Sequence, residues 1–284
     1  MKYSIFLILI GLIMTTISCK EQDKKQLVNK DSIYAWCIVP YDSVNRTPKE
    51  RISMLKELGI KKYAYDWREK HLSTMATELR LAKENNVEVI AVWMWIDEAQ
   101  DSVGNLNEAI EKVFDIIEEV NYEGQIWMSF HENYFDDLSD AQSVEKGAEM
   151  IDYLSSRAKS LNCKLALYNH GGWFDEPVNQ IKIIKALPDS DLGIVYNFHH
   201  AHHQIEAFPE IVDTMLPHLW YVNLNGLRQE GPKILTIGEG NHEMQMIQTL
   251  KDKGYDGDFG ILGHVEDADV EEILRANLNG LLGE

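Results

Sequence analysis

Histidine clusters in a few short runs of this sequence, and those runs are where its chemistry is to be sought. His199-His200-Ala201-His202-His203 is the densest, joined by Asn169-His170-Gly171-Gly172-Trp173, by His131-Glu132-Asn133 and by His264 near Glu266. Imidazole titrates near neutrality, so these residues suit proton transfer or metal binding. Trp67, Trp95 and Trp173 add flat apolar walls on which a sugar ring can stack. The amides of Asn169, Asn197 and Asn223 can both donate to and accept from hydroxyl groups. Together they describe a polyol pocket. Adjacent residues of an extended strand point to opposite sides, so only one of His199 and His200 is assigned to it, and His200 is chosen. His202 and His203 read equally well as solvated loop residues, and His218 as structural. Trp93 shares a face with Trp95, so one can pack while the other binds.

These residues must be positioned by an alternation of short apolar runs and longer amphipathic segments that repeats eight times. Strands are predicted at 33–39, 62–66, 87–95, 125–130, 164–169, 192–198, 219–224 and 259–263. Their near-continuous Ile, Val, Leu, Trp and Tyr content suits parallel strands covered on both faces. Thr47-Pro48-Lys49-Glu50 is a capping box with proline at the first helical position, and Gly59 closes that helix. Helical spacing recurs over 107–120, 139–161 and 267–278. Eight strand–helix units predict an α/β fold, a single (β/α)8 TIM barrel. No glycine-rich dinucleotide fingerprint follows the first strand. A barrel of this kind carries its site at the C-terminal strand ends. There stand Tyr41, Asp66-Trp67-Arg68, Trp93-Met94-Trp95 and the histidine runs.

Residues 1–18 read as a secretory signal. Lys2 precedes an apolar run from Ile5 to Met14 that is too short for a spanning helix of roughly 20 residues. Thr16-Ile17-Ser18-Cys19 resembles the lipobox of bacterial lipoproteins, which implies lipidation at Cys19. Residues 19–30 read as a polar tether and 31–284 as the barrel. The expected location is therefore outside the cytoplasm, anchored by lipid to a bacterial membrane and facing the periplasm or the cell surface. A formal charge of −19 excludes nucleic acid as a partner and argues against polyanionic polysaccharides. A small neutral sugar or keto-sugar is the expected ligand. Cys37 and Cys163 are expected to be buried free thiols.

The C-terminal half resembles the sugar phosphate isomerase/epimerase superfamily with the xylose-isomerase-like barrel. The resemblance is carried by Leu167-Tyr168-Asn169-His170-Gly171-Gly172, by Tyr196-Asn197-Phe198-His199-His200 and by Tyr221-Val222-Asn223-Leu224-Asn225. Ile237-Gly238-Glu239-Gly240 and Gly260-Ile261-Leu262-Gly263-His264 complete it. Metal-dependent members of that superfamily use Glu, Asp, His and Glu on strands five to eight. The matching positions here hold Tyr168, Asn197, Asn223 and, approximately, Leu262, so the resemblance implies rewritten metal-ligand positions. Such a set lacks the anionic oxygens that a hard divalent ion requires. A zinc-like site built from His131, Glu132, His200 and His264 stays open as an alternative.

The resemblance implies acid/base chemistry beside a sugar carbonyl: isomerisation, epimerisation, or elimination or hydrolysis of a 3-keto-glycoside. Glu132 or a neutral histidine is the expected base. His170, His200, Asn197 and Asn223 are expected to stabilise the developing charge. The competing reading is a carbohydrate-binding lipoprotein that kept the barrel without catalysis. A DNA-repair endonuclease branch of the superfamily is disfavoured by the acidic charge.

Overall fold

The computed structural model describes residues 27–283. The expected signal segment, the expected lipidation at Cys19 and most of the expected tether lie outside the described residues. Eight parallel strands close into a barrel in sequence order: β1 (Ile33–Trp36), β2 (Lys62–Tyr65), β3 (Glu88–Ile96), β4 (Gln125–Phe130), β5 (Lys164–Tyr168), β6 (Leu192–Asn197), β7 (Leu219–Leu224) and β8 (Asp258–Leu262). The helices alternate with them: α1 (Pro48–Glu57), α2 (Glu69–Glu84), α3 (Glu108–Glu119), α4 (Asp140–Ser160), α5 (Pro177–Ala186), α6 (Phe208–Met215), α7 (Glu243–Asp252) and α8 (Val270–Leu282). The fold is a single closed (β/α)8 TIM barrel.

Local signals explain where elements start and stop. Thr47 and Glu50 form the capping box of α1, and Gly59 follows it at φ 72°. Ser139 with Gln142 does the same for α4. β1 ends at Trp36, short of the predicted residue 39, because Cys37 takes a left-handed φ of 56° that no strand continues. The barrel body also begins before residue 31. Val28 is buried in the core and Asn29 caps a 3-10 turn at Lys30–Ser32.

Two apolar layers hold the barrel. The outer one lies between strands and helices, where α3 contributes Ile110, Val113, Phe114, Ile116 and Ile117. The inner layer is aromatic: Tyr34, Trp36, Trp127, Tyr168 and Tyr221 stack at centroid distances of 5.4 to 6.4 Å. Rings of this size fill the interior of the barrel beneath its C-terminal end. Gly260 makes the packing possible, since a Cβ there would lie 2.3 Å from Asn223 Oδ1 and 2.5 Å from the Tyr34 ring. Cys37 follows β1 and Cys163 precedes β5, so these buried free thiols sit at opposite ends of the barrel. No described helix is long and apolar enough to cross a membrane.

Candidate active site

A cavity of about 70 Å³ opens at the C-terminal strand ends, lined by Trp36, Cys37, Tyr41, Asp66, Arg68, Trp93, Tyr168, His170, Asn197, His199, His200, Leu262 and His264. A larger groove of about 460 Å³ lies at the opposite end, beside Lys83, Glu88 and Tyr122. It gathers no histidine and no buried carboxyl, so the capacity for proton transfer belongs to the smaller cavity.

Asparagines position the histidines. Asn169 on the loop after β5 accepts the Asn197 backbone N–H at 2.6 Å and donates to the Asn197 carbonyl at 3.3 Å. Asn197 in turn accepts the His199 N–H at 3.0 Å, which bends the chain into a 3-10 turn at Phe198–His200. The strand does not continue through this pair, so His199 and His200 both reach the cavity; the assignment of His200 alone is corrected by the turn. The imidazoles form a chain: His170 to His200 at 4.3 Å, His200 to His199 at 4.5 Å and His199 to His264 at 5.6 Å between centroids. Tyr41 stacks on His264 at 3.5 Å, and Trp95 meets His170 edge-on at 4.4 Å.

Burial fixes their charge state. It depresses His170 to about 4 and His199 to about 3, with the Lys233 ammonium adding to both effects. His200 is depressed further by burial and by its histidine neighbours, and His264 moves the same way. Near neutral pH the cavity therefore presents uncharged imidazoles, each with one donor and one acceptor. The Nδ1 atoms of His170 and His199 are buried without a partner.

Asp66, placed by the sequence at the end of the second strand without a role, lines the cavity with this cluster. Its Oδ1 accepts the Val39 N–H at 3.3 Å, while Oδ2 is buried and unpartnered. Burial lifts its carboxyl to about 7, against the opposing pull of Arg68. A carboxyl poised there can both take and return a proton near neutral pH. Its signal was present: β2 alternates, with Ala64 in the inner layer and Tyr63, Tyr65 and Trp67 in the outer one. The pleat therefore turns Asp66 inward.

The same alternation turns Trp67 and Asn169 away from the cavity, while the other sequence-predicted residues outside its lining include Trp95 near the end of β3 and residues on the loops beyond the strands. Trp67 packs in the outer layer, its indole N–H donating to the Trp93 carbonyl at 2.7 Å. Asn169 is buried behind the site. Trp173 lies outside, donating to Asp140 at 3.0 Å and packing on Phe135. Glu132 is exposed beside Gly171 and Gly172, away from the cavity lining. His131 and Trp95 meet at the rim at 5.6 Å. His202 bridges the carbonyls of Arg228 and Lys233 at 2.9 and 3.0 Å, and His203 pairs with Glu176 at 2.7 Å.

The metal positions implied by the resemblance are committed elsewhere. Asn197 donates to the Tyr168 hydroxyl, which also receives the Trp36 indole N–H at 3.1 Å. Asn223 Oδ1 accepts the Tyr34 hydroxyl at 2.8 Å, and Leu262 is apolar. This set does not fit a hard divalent cation. His131, Glu132, His200 and His264 do not assemble as a zinc set either. Among the described residues, no three His, Cys, Asp or Glu side chains are grouped to hold a metal ion.

No family model matches the sequence, and no curated protein matches it. Solved structures do share its fold. The apo form of 3-keto-D-glucoside 4-epimerase from E. coli superposes with a TM-score of 0.66 at 16% identity, covering 89% of this chain and 99% of that one. D-psicose 3-epimerase in the presence of D-fructose gives 0.63 at 15%, covering 89% and 99%. A xylose isomerase domain containing protein from Salmonella typhimurium LT2 gives 0.62 at 15%, covering 90% and 98%.

Proposed function

We propose, on the premise of a xylose-isomerase-like barrel, that this chain is an enzyme moving a proton beside the carbonyl of a keto-sugar. The observation carrying this reading is the unpartnered, buried Asp66 carboxyl facing a row of uncharged imidazoles. Ionised Asp66 takes the proton from the carbon next to the carbonyl. His170 and His200 donate N–H to the enolate oxygen as negative charge grows there, in a site where burial strengthens each bond. Return of that proton from Asp66 to the neighbouring carbon gives an isomer. Donation to the opposite face by an imidazole N–H, with Asp66 releasing its own proton to solvent and the imidazole regaining one from it, gives an epimer. Loss of a β-substituent from the same enolate is elimination. Asp66 takes the role of base that sequence reading gave to Glu132. Two epimerases share the fold, one of a 3-keto-D-glucoside, which supports this choice among acid/base reactions. No step here runs through a metal.

The test is incubation of the full chain with a panel of keto-sugars and 3-keto-glycosides in D₂O, followed by proton NMR. Deuterium beside a carbonyl, or new sugar signals, is the expected result. Line broadening without exchange would favour the second reading, a carbohydrate-binding protein; the uncharged Tyr168, Asn197, Asn223 and Leu262 set is what speaks for it. Export and lipid anchoring through Cys19 form part of the proposal. Glycan breakdown products would then be the accessible substrates.

A further inference from the structure

The cavity mouth carries a cation that hydroxyl recognition does not use. Arg68 lines the cavity, with its guanidinium donating to the Trp67 carbonyl at 2.7 Å and the Tyr41 hydroxyl at 2.8 Å. It lies 5.4 Å over the Tyr41 ring, which holds the group in place. Those two bonds occupy two of its five N–H donors. Arg46, Arg51, Arg80, Arg157 and Arg275 each pair with a carboxylate. Arg68 and Arg228 pair with none among the described residues, and of the two only Arg68 lines the cavity. Lys233, exposed on the loop between β7 and α7 and outside the cavity lining, is also without a carboxylate partner among the described residues. Its carbonyl meets His202 at 3.0 Å, and its charge adds a smaller effect on His170, His199, His200 and His264 than their burial. The acids facing this mouth are Asp66, half protonated near neutral pH, and Glu266, 3.1 Å from His264.

We propose that the ligand of this cavity carries a single carboxylate, held by Arg68 with Lys233 contributing from the β7–α7 loop, so that the substrate class is a sugar acid such as a uronate. This assignment rests on the sugar-carbonyl reading above and replaces its neutral substrate. A planar guanidinium with free, parallel N–H bonds matches a carboxylate bidentately, which a hydroxyl cannot reproduce. The surrounding charge of −19 repels polyanions, while a local cation at the mouth admits one small anion.

Titration calorimetry of the full chain with D-glucuronate, D-glucose and inorganic phosphate tests it. Glucuronate should bind at least about tenfold tighter than glucose at low salt, a difference of about 1.4 kcal/mol. Arg68→Gln should erase that preference, Lys233→Gln should reduce it, and added salt should weaken it. Equal binding of the two sugars, no binding of glucuronate, or a preference that survives Arg68→Gln overturns the proposal. Phosphate competing as well as glucuronate overturns the choice of a carboxylate. Should Arg68→Gln fail to fold, the Lys233→Gln variant and the salt dependence decide it. Deuterium exchange in neutral keto-sugars with no glucuronate preference would remove this inference and leave the enzymatic reading. Glucuronate preference without exchange in any sugar would do the reverse.

Discussion

Removal from water acts in opposite directions on Asp66 and on the imidazoles beside it, and the pH behaviour follows. Burial favours the uncharged form of each, so Asp66 rises to about 7 while His170 and His199 fall to about 4 and 3. As a base, Asp66 must be ionised, so kcat/KM should climb with pH through a single limb centred near 7. Asp66→Asn should remove that limb and lower turnover by roughly 10²–10⁴-fold, measured by steady-state kinetics across pH 5–9. His200→Ala and His170→Ala should abolish turnover with the melting temperature nearly unchanged. Lost stability with activity retained per folded molecule would mark them as packing residues. Stability has its own signature. The depressed histidines contribute stability that is present above the ordinary value of 6.5 and is lost as pH falls toward 4 and 3. Asp66 opposes this, its contribution fading as pH rises from 3.8 to about 7. Asp66→Asn should therefore raise the melting temperature most at pH 8, where the native protein buries a charge.

At the scale of elements, the loop between β7 and α7 is fastened by one carboxylate. Glu243 is buried at the start of α7 and accepts N–H bonds from Leu227, Gly238 and Gly240 at 3.0, 3.0 and 2.9 Å, with His242 at 3.3 Å. Glu243→Ala leaves those donors without a partner and should cost roughly 3 kcal/mol, read by denaturant unfolding. Hydrogen exchange should quicken first at Leu227 and Gly238, and the loop carrying Lys233 should loosen with them. The elements themselves were legible in the sequence, because continuous apolar runs and the Thr47–Glu50 capping box mark them. Strand ends were legible in height but not in direction. The rule that sites sit at C-terminal ends selected His170, His200, His264 and Asn197, which line the cavity, together with Trp67 and Trp173, which do not. Alternation separates Trp67 from Asp66, as it turns Ala166, Tyr168 and His170 inward and Leu165, Leu167 and Asn169 outward. Trp173 lies beyond two positive-φ glycines, where no strand periodicity reaches. The turn that brings in His199 beside His200 depends on the side chain of Asn197, which no periodicity reveals.

For the whole molecule, the charge of −19 spreads over a surface whose upper mouth is locally cationic. The part before residue 27 should tie that surface to a membrane. Growth with an alkyne fatty acid should label the wild-type chain, and Cys19→Ser should remove the label and release the protein into the soluble fraction. The barrel closes on itself without an edge strand, so its two ends can open only by separating from their own loops. Each end carries a buried sulfur, Cys37 above and Cys163 below. The rate at which a thiol reagent reaches each one therefore acts as a clock for its end of the barrel. Ligand should slow the reaction at Cys37, inside the mouth, and leave Cys163 unaltered.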